Sequence, residues 1–146
     1  MGITPFLAVL NDMTEARGAI HLFYCVRNAA SAAHLAEVEE YVGRHDAITL
    51  HVVELGRSGR LGAQKITDRA GLSAADMDVF FCGPDAMRRA LSHDLAARGL
   101  PARRFHFEAF EIRSGLGLRR LAAWLAGKGV PKLLALATQV ASARSR

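Results

Sequence analysis

Apolar residues recur along this chain with two different periods, which predicts strands that alternate with helices. Continuous apolar runs bounded by glycine or polar residues predict strands over 19–26, 48–55, 78–82 and 104–112. Apolar residues three and four positions apart predict helices over 4–16, 31–44, 63–70 and 84–98, with a glycine-rich loop over 56–62. Buried strands joined through helices favour an α/β fold, in which a Rossmann-like parallel sheet is covered by helices on both faces to give three layers.

The first predicted helix begins almost at the start of the sequence. In a doubly wound sheet a strand and a glycine turn precede that helix, and the strand lies in the middle of the sheet. Here Gly2 opens the sequence, so the first strand is missing from the predicted pattern. We expect a domain truncated at its N-terminus; the alternative is that another segment of the chain fills the gap.

Residues 113–146 differ from the rest of the chain in charge. They carry seven basic and no acidic residues, whereas residues 1–112 carry 12 basic and 14 acidic residues. Leu118, Leu121 and Leu125 share one helical face, and a second apolar helix is predicted from 132 to about 140, after the glycine- and proline-containing stretch 127–131. A basic amphipathic helical tail of this kind suits attachment to a membrane surface or docking on a partner, and packing over the sheet explains it equally well.

Composition limits the remaining possibilities. A chain of 146 residues that is 51% hydrophobic can form one globular domain with a core. Two cysteines and six scattered histidines show neither a disulfide framework nor metal-ligand spacing, so we expect no metal. Because the sequence shows no secretory signal, we expect the chain in the cytoplasm. The basic tail keeps the inner face of the cell membrane as an alternative location. Residues 1–112 are slightly acidic, which argues against a nucleic-acid partner.

The segment from Phe80 to Met87 carries the strongest chemical signal. The predicted strand ends at Cys82, Gly83 allows a ligand to approach the backbone, and Pro84 suits the first position of a helix. The positive end of that helix favours an anion and would lower the pKa of the Cys82 thiol. This arrangement is typical of a nucleotide site at the carboxyl end of a parallel sheet, although a buried structural cysteine is the simpler explanation for Cys82 alone.

A second candidate site lies at the start of the chain. Gly2, Ile3, Thr4 and Pro5 form a small-residue turn at a predicted helix start, with Thr4 as the cap and Pro5 at the first helical position. The unpaired N–H groups of that turn favour a pyrophosphate. An ordinary helix cap explains Thr4 and Pro5 equally well.

Arg27 follows the predicted strand 19–26 at the position that distinguishes the two nicotinamide dinucleotides. An acidic residue there would bind the ribose hydroxyls of NAD, whereas an arginine can bind the extra phosphate of NADP. The basic residue therefore favours NADPH, and a surface arginine that caps a loop is the alternative.

Four motifs together carry a family resemblance: GITPF at 2–6, LFYCVR at 22–27, FCGP at 81–84 and FEAF at 107–110. In order and spacing they resemble the pyridine-nucleotide domain of the ferredoxin–NADP reductase superfamily, and most closely its bacterial ferric-reductase-like branch. The resemblance covers about residues 2–112, which gives an NAD(P)-binding domain over 1–112 and a tail over 113–146. The Arg-x-Tyr-Ser motif of the flavin-binding barrel does not occur in the sequence.

The resemblance implies a role for each motif. It places the thiol of Cys82 beside the nicotinamide ring, which it orients without a covalent bond, and it makes Glu108 a catalytic carboxylate near the flavin. Against this, Glu108 and its neighbour His106 could simply face water on an edge strand. The implied cofactor-binding residues are Gly2, Ile3, Thr4, Pro5, Arg27, Arg57, Arg60, Cys82, Gly83, Pro84, Met87 and Phe110. Arg57 and Arg60 would contact phosphate near the adenosine end, with a flexible solvated loop as the alternative.

The implied function is an NAD(P)H-binding module of a flavin-dependent oxidoreductase. NADPH, or NADH, would pass a hydride to FAD bound by a flavin-binding domain or subunit outside this sequence. Electrons would then reach a haem, an iron–sulfur protein or ferric iron, and the module would be inactive without the flavin domain. Two alternatives remain: a catalytically silent nucleotide-sensing or partner-docking module, and a membrane-surface adaptor that uses the basic tail.

Overall fold

The computed structural model describes residues 3–12, 18–107 and 132–138 of the protein. Within these ranges the strands are β1 (Ala19–Val26), β2 (Ile48–Glu54), β3 (Asp78–Cys82), β4 (Phe105–Phe107) and β5 (Lys132–Thr138). The helices are α1 (Thr4–Asp12), α2 (Leu35–Val42), α3 (Leu55–Ser58), α4 (Ala63–Ala70) and α5 (Asp85–Ala97). The predicted α/β class is confirmed.

The five strands form one parallel sheet in the order β2-β1-β5-β3-β4. From β1 the chain continues through α2 to β2 at one edge, and from β3 it continues through α5 to β4 at the other edge. The two halves therefore run outward in opposite directions from the centre. A reversal of this kind is the switch point of a doubly wound sheet, where ligands bind outside the carboxyl ends of the strands.

Alternate side chains of β1 enter two different cores, one on each face of the sheet. Leu22 and Tyr24 pack into a core that also holds Ile3, Phe6, Leu7, Leu10, Val38 and Tyr41, which we call the α1–α2 core. Phe23 and Cys25 pack into a core that also holds Val53, Ile66, Val79, Phe81, Leu91 and Leu95, which we call the α4–α5 core. Because each fully buried Leu or Phe contributes about 1.5–3 kcal/mol, both helix layers are needed for a stable domain.

The structure corrects the prediction for the end of the chain. Residues 132–138 form a strand in the centre of the sheet, where the sequence pattern predicted a helix from 132 to about 140. A short apolar run fits either a buried helix or a central strand, because a strand buried on both faces shows no polar alternation. The sheet position that the sequence pattern left empty is thus filled by β5, so the alternative of a segment from elsewhere in the chain is the one observed.

Several boundaries also differ from the predicted ones. The helix predicted over 31–44 is shorter in the structure, where α2 runs from Leu35 to Val42. A 3₁₀ turn at Ala29–Ser31, capped by the side chain of Asn28, precedes it. The loop predicted over 56–62 begins inside the short helix α3. The helix predicted near Leu118 lies outside the described residues. In the ranges that the structure describes, no helix is both long and apolar enough to cross a bilayer.

Candidate functional site

The carboxyl ends of the parallel strands meet at one edge of the sheet, which we call the carboxyl edge. Val26, Glu54, Cys82 and Thr138 end β1, β2, β3 and β5 there. The register places Cys82 opposite Ala137 of β5, and it places Thr138 opposite Cys25. The predicted site residues that follow β1, β2 and β3 therefore belong to one edge of the molecule.

The ends of β1 and β2 bring basic residues together. Gly56 lies so close to the end of β1 that a Cβ added to it would be 3.7 Å from the carbonyl oxygen of Arg27. Arg27, Arg57 and Arg60 are all exposed. Arg57 is 82% exposed, and its Nη1 is 3.9 Å from Oε1 of Glu54, which is a weak ion pair. The structure thus places Arg27 beside the loop that carries the other two arginines.

Lys65 of α4 contacts the segment that carries Arg57 and Arg60. Its Nζ donates a hydrogen bond to the carbonyl oxygen of Ser58, the last residue of α3. The bond links Ser58, which lies between Arg57 and Arg60 in the chain, to α4.

Cys82 lies at the end of β3 next to the switch point. Its side chain is half-buried and packs against the α1–α2 core. Burial raises the pKa of its thiol, so the predicted lowering by the following helix is wrong. Desolvation of the thiolate is the largest cause, and the sulfur is therefore a neutral thiol at physiological pH.

The turn after Cys82 is open to solvent. Gly83 and Pro84 are exposed, and Pro84 has an extended backbone immediately before α5. Its carbonyl oxygen accepts the first helical hydrogen bond from the N–H of Arg88, 3.0 Å away. Pro84 is thus the residue that precedes the helix rather than its first residue, a shift of one position.

The start of α1 supplies the second turn at this site. Ile3 is buried in the α1–α2 core, whereas Thr4, where the helix begins, is exposed. The carbonyl oxygen of Ile3 accepts a hydrogen bond from the N–H of Leu7, 3.0 Å away, which is the first hydrogen bond of the helix. Pro5 lies in that turn, and Gly2 lies outside the described residues.

Met87 is placed differently from the other predicted residues. It packs against the α4–α5 core, whereas Cys82 packs against the α1–α2 core on the opposite face of the sheet. The structure does not bring the two side chains together. Glu108 and Phe110 lie outside the described residues, directly after β4.

A cluster of side chains that was not predicted from the sequence, which we call the clamp, joins α5 to β4. The Asp85 carboxylate binds Arg88, with 2.6 Å between Oδ1 and Nη2, and it binds Arg89, with 2.8 Å between Oδ2 and Nη1. The hydrogen bond from Arg88 lowers the pKa of Asp85. Arg88 also lies over the ring of Phe107 at 4.2 Å, although that ring is 48% exposed. An acid in the first turn with arginines three and four positions later is the signal that could have revealed the two ion pairs within α5, but not the contact with β4.

His106 has a structural environment on β4. Its Nε2 is 3.2 Å from Oδ1 of Asp78, a buried residue at the start of β3, and its ring stacks on Phe80 at 4.4 Å. His106 is therefore not simply solvent-facing, which was the alternative for this strand. These contacts and the clamp fix the end of β4, from which the chain continues to Glu108.

The fold and the site together define a dinucleotide-binding domain of the doubly wound α/β class. Residues 1–93 match the family model described as the oxidoreductase NAD-binding domain. The chain belongs to this family, and the resemblance to the ferredoxin–NADP reductase superfamily is confirmed, while assignment to the ferric-reductase-like branch stays a prediction.

The chain is similar to parts of larger bacterial oxidoreductases. It is 29% identical over 124 residues to a flavohemoprotein of Burkholderia sp. strain TH2, which covers 80% of this chain and 32% of that protein. It is 29% identical over 121 residues to the carnitine monooxygenase reductase subunit of Escherichia coli K12, covering 80% of this chain and 35% of the relative. It is 30% identical over 113 residues to the heme-dependent oxidative N-demethylase beta subunit of Ectopseudomonas mendocina strain ymp, covering 75% and 33%.

The chain thus spans about a third of the length of the curated relatives that it matches. No solved structure matches the chain.

Proposed function

We propose that the protein binds NADPH, and NADH more weakly, across the carboxyl edge and presents the nicotinamide for hydride transfer to FAD. The observation that carries this proposal is the pair of strand ends on either side of β5. Exposed Arg27 follows β1, and half-buried Cys82 ends β3. Neighbouring strands are about 4.8 Å apart, so these ends are separated by roughly 10 Å. A ligand that reaches both must be extended and two-ended, as a dinucleotide is.

The residues at the β1 and β2 ends fit an adenosine ribose that carries a phosphate. Arg27 occupies the position where an acidic residue would favour NAD. The weak pair between Arg57 and Glu54 leaves the Arg57 guanidinium able to turn toward an anion. Charge-assisted hydrogen bonds of this type contribute about 1.5–3 kcal/mol each, which corresponds to a preference of roughly 10- to 100-fold for NADPH.

The residues at the β3 end fit the nicotinamide half. NAD(P)H supplies a hydride, and the protein positions it and excludes water. A neutral thiol at Cys82 offers a small polarizable surface to a ring without acting as a nucleophile. Gly83 leaves its backbone open to a ligand, and the first N–H groups of α1, beside Ile3 and Thr4, favour the diphosphate between the two halves.

We further propose that the hydride acceptor is FAD held by a flavin-binding domain or subunit, and that Glu108 and Phe110 complete the site on that side. Electrons would pass from the flavin to a haem, an iron–sulfur protein or ferric iron. The names of the relatives support this order, since they include flavohemoproteins and a monooxygenase reductase subunit. Alone, the 146-residue chain is expected to bind nucleotide weakly and to reduce nothing.

Calorimetric titration of the full chain with NADPH, NADH and adenosine 2′,5′-bisphosphate tests the nucleotide proposal. NADPH is expected to bind at least tenfold more tightly than NADH, and the bisphosphate is expected to compete with both. No binding of either reduced cofactor, or no competition by the bisphosphate, would overturn the proposal. Addition of a recombinant flavin-binding domain then separates two functions, because nucleotide binding without flavin reduction would identify a nucleotide-sensing or docking module.

Attachment to a membrane surface through residues 114–146 is weaker as a proposal. It requires two apolar helices, and the second of them is the strand β5. The first lies outside the described residues. Binding of the full chain to anionic vesicles, reduced by salt, is the result that would restore this alternative.

A further inference from the structure

We propose that residues 132–138 are a structural part of the dinucleotide site, because they take the sheet position of the strand that leads into the first helix of a doubly wound domain. The C-terminal segment would then determine the geometry of the site without contacting the nucleotide. The nucleotide part of this statement rests on the proposed function. The strand part rests on the pairing of the sheet alone.

β5 is the connection between the two halves of the sheet. It pairs with β1 from Ala19↔Lys132 to Cys25↔Thr138, and it pairs with β3 from Asp78↔Leu133 to Cys82↔Ala137. Within the described residues, β1 and β3 do not pair with each other. Without β5 the sheet would be two separate strand pairs, β2–β1 and β3–β4. The distance between the end that precedes Arg27 and the end at Cys82 is therefore fixed by β5.

The sequence of β5 suits this position. Residues 133–137 are Leu-Leu-Ala-Leu-Ala, an apolar run without alternation, as a strand covered on both faces requires. Ala135 lies in register between Leu22 and Phe80, so a small residue falls between two large ones. Leucine and alanine favour helix when isolated, so this segment forms a strand only because the sheet binds it.

The sheet position between β1 and β3 has room for one strand. Both edges of β5 are paired, so any strand supplied ahead of α1, or by a second copy of the chain, would compete with residues 132–138 for the same ladders. The nucleotide-binding edge would then depend on which segment is bound. Another strand could thus replace residues 132–138, but the site requires some strand in this position.

Amide hydrogen exchange by NMR on the unmodified full chain tests the pairing directly. The N–H of Ile20 donates to the carbonyl oxygen of Ala47, 2.8 Å away on the β2 side. Successive N–H groups of a strand point to opposite sides, so His21, Phe23 and Cys25 donate toward β5. We expect these three amides to be protected as strongly as those of Leu22 and Tyr24. Exchange of the three at unprotected rates would overturn the proposal.

The variant Ala135→Pro sharpens the test, because proline in a central strand removes an N–H group and is excluded from both ladders. Protection of the His21, Phe23 and Cys25 amides should fall at least tenfold, and that of Leu22 and Tyr24 should change less. A synthetic peptide of residues 131–140 should restore the lost protection, and a scrambled peptide should not. Ala143→Pro is the matched control. Equal protection in both proline variants would contradict the proposal.

Titration with NADPH separates the two proposals. If the alternating protection is present and NADPH does not bind the full chain, the strand assignment stands and the nucleotide function fails. If NADPH binds while the three amides exchange freely, the strand assignment fails and the function stands. If both hold, Ala135→Pro should weaken NADPH at least tenfold, and the 131–140 peptide should recover the affinity.

Discussion

The two cysteines lie near the carboxyl ends of β1 and β3, on either side of β5, yet they have different environments. Cys25, the penultimate residue of β1, is 1% exposed in the α4–α5 core, and burial raises the pKa of its thiol to about 12. Cys82, the last residue of β3, is half-buried on the other face of the sheet and is followed by an exposed turn. Residue type and strand position are nearly the same, so burial and the following turn decide which cysteine is available to a ligand.

The contrast extends to the surroundings of each strand end. On the β1–β2 side, the strands are buried and their carboxyl ends are followed by exposed basic residues. These residues are Arg27 and the arginines of the loop after β2. The β3 side instead exposes the backbone at Gly83 beside a partly accessible sulfur. One end is suited to bind charge and the other to contact a ring, which is the division that a dinucleotide requires.

The largest expected effect is the difference between the thiol-labelling rates of Cys82 and Cys25. A small thiol reagent at mildly alkaline pH should modify Cys82 in the native protein, whereas Cys25 should react only when the domain opens. Because opening equilibria of stable domains are at least about 10³ in favour of the closed state, the rates should differ by a factor on the order of 10³. Mass spectrometry of Cys25→Ala and Cys82→Ala assigns the rates, and similar native rates would contradict the proposed difference in accessibility.

Charge reversal at Arg27 should have the next largest effect. Arg27→Glu replaces a phosphate-binding cation with a carboxylate that suits the ribose hydroxyls of NADH, so NADPH affinity should fall about 30- to 100-fold. NADH affinity should change by less than about threefold. Calorimetry of both cofactors measures the difference, with Arg98→Glu at the far end of α5 as the matched control. An equal loss for both cofactors would show that Arg27 does not contact the extra phosphate.

Replacement of each cysteine by alanine should distinguish a role in hydride transfer from a role in stability. In a preparation reconstituted with a flavin domain, Cys82→Ala should slow hydride transfer about tenfold while NADPH affinity stays within about twofold, because orientation is lost and binding is not. Cys25→Ala should leave the transfer rate unchanged and reduce the free energy of unfolding by about 1 kcal/mol. Stopped-flow flavin reduction and chemical denaturation provide the two measurements. An unchanged rate in Cys82→Ala would remove the proposed role of the thiol.

Much of this division could be predicted from the sequence, because it depends on local pattern. The strand predicted over 19–26 has the same bounds in the structure. The FCGP motif at 81–84 ends a strand and leads into a helix, as predicted. The pKa direction of Cys82 could not be predicted, since it depends on burial by α1 and α2, which are distant in sequence. The clamp between Arg88 and Phe107 likewise joins elements whose proximity only the fold determines.

β5 shows the limit most clearly. Its residues prefer a helix locally, and the strand results from two neighbours that lie more than 50 residues and more than 100 residues earlier in the chain. Local periodicity contains no information about such partners. The gap in the predicted sheet was nevertheless visible in the sequence, since a doubly wound domain needs a central strand. A missing element can therefore point to a misassigned one.

The smallest expected effect concerns pH and tests whether the β1–β2 side is structural. Nδ1 of His21 and Nε2 of His51 are 3.1 Å apart, and the His51 ring stacks on Phe23 at 4.4 Å. Burial lowers the pKa of both histidines, and for His51 the neighbouring His21 and Arg69 lower it further. Since the unfolded chain has a histidine pKa near 6.5, this pair stabilises the fold fully above about pH 6.5, and the contribution is lost as the pH falls below it.

His51→Phe should keep the stack on Phe23 and remove one of the two proton-binding groups of the pair. The melting temperature of the parent protein should fall more steeply between pH 7 and pH 5 than that of the variant, because the parent gains protons at both His21 and His51 on unfolding, whereas the variant gains them at His21 alone. His93→Phe is the control, since His93 is exposed on α5 and lies away from the pair. If His51→Phe and the parent lose stability in parallel, acid sensitivity comes from elsewhere, and the His21–His51 pair does not stabilise the β1–β2 side in the way its geometry indicates.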